Sequence, residues 1–199
     1  MANSLLQTDI DLTSIVFSDE SRICLGPDSR FIWFQPGEVS DDVYMEYKKA
    51  EIGVMIWEAI GKDFKSQLMI CPKILDAKGY RQLIKDSNMI ETLNDQKGEG
   101  NWIYMQDGAP PHKARETQKF LLKRMNLLAN WPANSPDLNP IEHLWAILKY
   151  RMSADNPKNS IELVRIIKDE WDKLPMTLIN NLVLSFKKRL LLAEKKESK

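Results

Sequence analysis

The chain has 199 residues, room for one ordinary domain and enough to bury a core without disulfide staples. Hydrophobic residues make up 43% and charged residues 28%, a balance that excludes collagen-like, low-complexity and wholly disordered chains. The 28 basic and 28 acidic residues cancel, so bulk charge alone gives no argument for a nucleic-acid partner.

Ser14 to Phe17 is a short apolar run that ends in Ser18-Asp19-Glu20. Arg22 to Leu25 runs into the turn Gly26-Pro27-Asp28, and Phe31 to Phe34 stops at Pro36-Gly37. These read as three short strands of an antiparallel meander. Ile52 to Ile60 is almost continuously apolar and reads as a strand buried on both faces. Gln67 to Cys71 is a fifth strand, stopped by Pro72. Lys78 to Leu93 has helical spacing at Tyr80, Leu83, Ile84 and Ile90, and a polar loop follows from Asp95 to Asn101. Trp102 to Met105 is a strand that delivers Asp107; Lys113 to Arg124 reads as a helix and Asn126 to Ala129 as a short strand. The last third is helical, with apolar stripes over Pro140–Tyr150, Ile161–Leu174 and Met176–Leu192. Strands, then mixed elements, then helices predict an α/β fold, a mixed sheet covered on its faces by helices. No run of eighteen apolar residues occurs, so no membrane-spanning helix is expected. Cys24 and Cys71 form no zinc-ligand spacing, and with no secretory signal they are expected to be reduced.

The placement of three acids is the informative feature. Asp19 follows the first apolar run, Asp107 follows a strand, and Glu142 opens a helix after Ser135-Pro136-Asp137-Leu138-Asn139-Pro140. Strand ends and helix starts on a sheet's rim commonly carry active groups. Three converging carboxylates repel one another, and a pair of divalent cations with oxygen ligands offsets that repulsion. Two such ions suit in-line phosphoryl displacement. Each acid also has a structural reading. Asp19 fits a turn with Ser18 and Ser21, and Asp107-Gly108 is a turn dipeptide. Glu142 fits position N3 of a helix capped by Asn139 with Pro140 at N1. Asp137 reads as a turn residue.

In combination the motifs resemble a known family. Phe17-Ser18-Asp19-Glu20-Ser21, Met105 to His112 and Asn134 to Glu142 look like the three signature motifs of mariner-like DDE transposases, and 34 residues lie between Asp107 and Glu142, that family's spacing. Trp33 with Pro36-Gly37-Glu38, and Val54 to Trp57, resemble further landmarks. The resemblance implies a ribonuclease-H-like domain over residues 11–192: a five-stranded mixed sheet flanked by helices, with a helical C-terminal third. Outside that domain, residues 1–10 are expected to form an arm and residues 193–199 a disordered basic tail. The resemblance implies that Asp19, Asp107 and Glu142 are catalytic and hold two Mg²⁺ ions, with Mn²⁺ as substitute. The activity implied is cut-and-paste transposition, DNA strand cleavage followed by strand transfer. The alternative is a domesticated or decayed copy that binds DNA or protein without catalysis. A homodimer on paired transposon ends and a nuclear location are further expectations of the resemblance.

Two residues depart from the family pattern. Phe34 stands where a basic residue is frequent. Glu58 stands where a small one is usual; facing the site it would add negative charge, and facing solvent it would be harmless. Asp19 also comes almost at once, with no preceding helix-turn-helix, so the chain is expected to be a catalytic domain alone, without recognition of specific ends.

Charge is unevenly spread. Residues 1–60 hold eleven acids and four bases, and residues 186–199 hold six bases and two acids. Lys187, Lys188 and Arg189 read either as a solvated helix end or as phosphate contacts and an import signal. Lys113, Arg115 and Lys119, with His112, are candidate DNA contacts beside Asp107. Of six tryptophans most read as core, with Trp131 the best exposed candidate for base stacking. No Gly-rich phosphate loop is present, so no nucleotide cofactor is expected.

Overall fold

The computed structural model describes residues 10–24, 53–129, 131–132, 135–152, 155 and 157–197. The strand expected at Phe31–Phe34, the landmarks Trp33 and Pro36-Gly37-Glu38, and Phe34 itself lie outside the described residues.

Ile15–Cys24 is one ten-residue strand, β1. The first two expected strands are therefore a single element, and Asp19 lies within it rather than after its end. Ser18-Asp19-Glu20-Ser21 has turn chemistry, yet Ser18 and Ser21 are buried, and β1 pairs without interruption from Phe17↔Ile60 to Cys24↔Gly53 with β2, Gly53–Gly61. Pairing on a half-buried surface overrides the local preference. A tight turn through Asp63, at positive φ, leads to β3, Phe64–Lys65. Next comes β4, Met69–Cys71. Both pair antiparallel with β2, on the edge away from β1. They are two halves of one strand position, and the Ser66 hydroxyl accepts the Ala59 N–H at 2.9 Å where the ladder is interrupted. β5, Ile103–Met105, and β6, Asn126–Leu127, extend the sheet on the other side of β1, both parallel. Among the described residues the order is β3-β2-β1-β5-β6, a mixed sheet five positions wide.

The helical spacing over Lys78–Leu93 becomes two helices, α1 Ala77–Asp86 and α2 Met89–Lys97. Asn88, in the left-handed region at φ 51°, breaks them. α2 also takes up the first residues of the expected Asp95–Asn101 loop. α3, Pro110–Lys113, and α4, Arg115–Leu122, replace the single helix expected after Asp107, because Ala114 is extended at ψ 133°. α5 is Ile141–Met152, α6 Ser160–Asp172 and α7 Met176–Leu184. α8, Phe186–Glu197, reaches into the 193–199 segment that the sequence suggested was a disordered tail. No helix among the described residues is long and apolar enough to cross a membrane.

Side-chain alternation along β1 and β2 builds two cores. Ile15, Phe17, Ile23, Ile56 and Ile60 pack beneath α5 to α8 with Trp145, Ile167, Trp171, Ile179 and Phe186. Val16, Trp57, Ala59 and Tyr104 pack beneath α1, α2 and α4 with Tyr80, Ile84, Leu93 and Leu121. Trp57, Trp102, Trp145 and Trp171 are all core residues, as most tryptophans were expected to be. Glu58 resolves in neither expected way. It is fully buried opposite Asp19 in the β1–β2 ladder, and its Oε2 accepts the Ser66 hydroxyl. Burial pushes its carboxyl well above the usual range, only partly opposed by the Ser66 hydrogen bond.

Candidate active site

Asp19 shares a face of β1 with Phe17, and its Oδ2 accepts the Trp145 Nε1–H at 3.2 Å. Burial, then the negative charges of Glu142 and Glu20, push its carboxyl up to about 8 against the opposing pull of the Trp145 N–H. Asp19 and Glu142 are therefore electrostatic neighbours. Helix α5 is seated to make them so. Asn139 is buried, its Oδ1 accepts the Ile141 N–H at 3.3 Å, and its Nδ2 donates to the Ser18 carbonyl at 3.3 Å. The same side chain thus caps the helix that carries Glu142 and ties it to β1 one residue from Asp19. Arg189 braces the preceding turn from α8, donating to the Asp137 carbonyl at 3.0 Å and to Nδ1 of His143 at 3.2 Å. Burial and that guanidinium lower the His143 pKa.

Asp107 lies two residues beyond the Phe17↔Met105 pair of β1 and β5, as Asp19 lies two residues beyond on β1. The Ser18 hydroxyl donates to the Met105 carbonyl at 2.9 Å and holds the two strands together there. The Asp107 Oδ1 accepts the Ala109 N–H at 2.9 Å and the His112 Nδ1–H at 2.6 Å. His112 Nε2–H donates to Glu20 at 3.3 Å, and the ring lies against Tyr80 with centroids 4.1 Å apart. The His112 hydrogen bond holds the Asp107 carboxyl below the usual carboxylate range. Burial alone would lower the His112 pKa, but the hydrogen bonds to Asp107 and Glu20 outweigh it and raise it to about 9.

That shift has a signed consequence. The His112 pKa is higher folded than unfolded, so its stabilisation is fully present below about pH 6.5 and is lost as pH rises through about 9. Urea denaturation of the parent and of His112→Asn is expected to show a stability gap, on the order of 2 kcal/mol at pH 6, that closes by pH 10.

The donor set fits a hard divalent cation. All three candidate ligands are carboxylates, and the half-buried Asp19 beside Glu142 is a pair that a cation would relieve. Among the described residues, however, no three His, Cys, Asp or Glu side chains lie close enough together to hold a metal. Asp19 and Glu142 are brought together, while Asp107 is held toward His112.

The candidate DNA contacts divide. Lys113, Arg115 and Lys119 on α3 and α4, and Lys187 and Lys188 on α8, are exposed. His112 is buried, only 3% exposed, with both ring nitrogens engaged inside the protein. Arg189 is half-buried and serves the Asp137 turn. Trp131 is half-buried rather than free, stacked on Phe186 at 6.0 Å and edge-on to Phe17 at 6.4 Å. Sequence reading did not pick out Glu20 or Trp145 as site-building residues, nor the reach of Asn139 to β1. The alternation that sends Glu20 to the face opposite Asp19, and the three-residue step from Glu142 to Trp145, were the available signals.

A family model described as DDE superfamily endonuclease matches residues 14–164, a span that includes all three acids. The chain belongs to the DDE superfamily endonucleases. This DDE domain is similar to the Tc3 transposase of Caenorhabditis elegans, 31% identical over 187 residues that cover 90% of this chain and 55% of that protein. It is also similar to the Tc1 transposase of the same organism, 29% identical over 136 residues covering 68% and 49%. The chain thus spans about half the length of these relatives. In fold it is similar to the catalytic domain of Mos1 mariner transposase, with a TM-score of 0.71 at 17% identity over 95% of this chain and 84% of that one. Structures of that Mos1 domain have been solved with Mn and with Mg. The ribonuclease-H-like fold expected of the DDE domain is therefore present. The likeness is to the Tc1/mariner group as a whole: Tc1 and Tc3 by sequence, mariner by fold.

Proposed function

We propose that this DDE domain is the catalytic part of a cut-and-paste DNA transposase, cleaving a strand at a transposon end and joining the freed 3′-hydroxyl to target DNA. The observation that carries the reading is the half-buried, electrostatically coupled Asp19–Glu142 pair, seated by Asn139 and Trp145, beside a strand end that carries Asp107. Asp19, Asp107 and Glu142 would hold two Mg²⁺ or Mn²⁺ ions. Bound there, such ions supply Lewis-acid activation of the attacking oxygen and stabilisation of the leaving one. The protein's own part is placement. β1 carries Asp19, the segment leaving β5 carries Asp107, α5 carries Glu142, and Trp145 orients Asp19. Exposed Lys113, Arg115, Lys119, Lys187 and Lys188 would contact backbone phosphates. A homodimer on two DNA ends in the nucleus is part of the same proposal.

Mn²⁺-dependent nicking of a supercoiled plasmid is the test. The parent is expected to nick, and Asp107→Asn to lose at least about a thousandfold in rate, several kcal/mol of barrier. Equal nicking by both proteins, or none by a folded parent, would turn the reading toward a binding module. Preference for a branched or RNA–DNA hybrid substrate would turn it toward another nuclease.

A further inference from the structure

The geometry points to Glu20 and His112 as positioning residues for Asp107, forming a chain that ties down one carboxylate oxygen and presents the other. This rests on the proposed role of Asp107 as a metal ligand. Oδ1 takes both the Ala109 N–H and the His112 Nδ1–H, at 2.9 and 2.6 Å. Oδ2 accepts no hydrogen bond among the described residues, and the Asp107 side chain is 52% exposed. One oxygen is thus fixed and the other is available at the rim.

The imidazole that does the fixing is itself fixed on every side. Its Nε2–H reaches Glu20, which leaves β1 on the face opposite Asp19. Tyr80 covers the ring, and the Tyr80 hydroxyl donates to Gln106 Oε1 at 2.8 Å, on the residue preceding Asp107. The backbone carbonyl of His112 accepts the Gln118 amide at 2.7 Å. Adjacent residues on β1 therefore serve the site from opposite faces: Asp19 from the α5 side and Glu20, through His112, from the α1 side. Ligating carboxylates that are oriented by such hydrogen bonds typically lose 10–100-fold in metal affinity when the orienting group is removed.

The test compares His112→Asn, His112→Gln and His112→Ala with Asp107→Asn in the 199-residue chain, reading Mn²⁺ affinity by calorimetry and nicking by kcat and KM for DNA. An Asn amide reaches the Nδ1 position and can donate to Asp107; a Gln amide reaches the Nε2 position and serves only Glu20. The expected result is Mn²⁺ affinity near that of the parent in His112→Asn, and a loss of about 10–100-fold in His112→Gln and His112→Ala, with kcat falling and KM for DNA unchanged. Should His112→Ala fail to fold, the Asn–Gln contrast still decides. Equal affinities in the Asn and Gln variants would overturn the proposal in favour of simple packing beneath Tyr80. Unchanged Mn²⁺ affinity in Asp107→Asn would overturn it along with the ligand role of Asp107. A response to Asp107→Asn with none in any His112 variant would overturn the positioning chain alone.

Discussion

Asp19→Asn is expected to make the metal-free protein more stable while abolishing DNA nicking. Burial and the charges of Glu142 and Glu20 raise the folded-state Asp19 pKa to about 8, against an ordinary value of 3.8. An acid whose pKa is raised on folding loses stability as pH climbs between the unfolded and folded values. The parent should therefore weaken from about pH 4 to about pH 8, and the variant should not. Asn keeps an oxygen that accepts the Trp145 N–H, so the packing survives. Urea denaturation in chelator should show the two proteins equal near pH 4 and the variant ahead by on the order of 3 kcal/mol at pH 8. Nicking should fall at least about a thousandfold. Gained stability at the cost of activity is the usual mark of a strained functional group. A variant less stable than the parent at pH 8 would show that Asp19 is a well-satisfied structural residue.

Trp145→Ala is expected to have the largest destabilising effect of any site-lining change. Trp145 is 2% exposed, lies 5.7 Å from Trp171 ring to ring, and supplies the hydrogen bond to Asp19. Its truncation removes a buried indole at the junction of α5, α6 and β1, a loss of about 3–5 kcal/mol. Trp145→Phe keeps most of the packing and removes only the N–H. Asp19 then loses the hydrogen bond that favours its charged form, so the pH profile of nicking should move toward higher pH in that variant. Chemical denaturation reads the first effect, and rates between pH 6 and 9 read the second. An unmoved profile in Trp145→Phe would show that the indole serves packing alone.

How much of this was legible beforehand differs from element to element. Motif order and the 34-residue interval between Asp107 and Glu142 were enough for the family and for the ribonuclease-H-like sheet, because each motif sits where a strand or helix must deliver it. The capping role of Asn139 was legible, since capping is local chemistry, but the helix starts at Ile141 and the Asn139 side chain takes the Ile141 N–H rather than that of Glu142, so the expected capping box is not formed. The continuity of β1 was not. Ser18-Asp19-Glu20-Ser21 has the composition of a turn, and only pairing with β2 and β5 and the contacts of Asp19 and Ser18 make it a strand. The breaks at Asn88 and Ala114 were hidden for a related reason: apolar spacing continues across them while the backbone does not. His112 shows the same limit in the site. Its sequence neighbours are exposed Lys113 and Arg115, which suggested a DNA contact. Its burial comes from Tyr80 and Glu20, far away in sequence.

The central claim is that Asp19, Asp107 and Glu142 form a metal site in this DDE domain. Thermal unfolding with and without Mn²⁺, in the presence of a short DNA duplex, for the parent and for Asp107→Asn, tests it most directly. A ligand that binds only the folded state stabilises by about 2.7 kcal/mol at a hundredfold excess over Kd. The account predicts a Mn²⁺-dependent rise in Tm for the parent and none for Asp107→Asn. A rise of equal size in both proteins, or no rise in either, would contradict it.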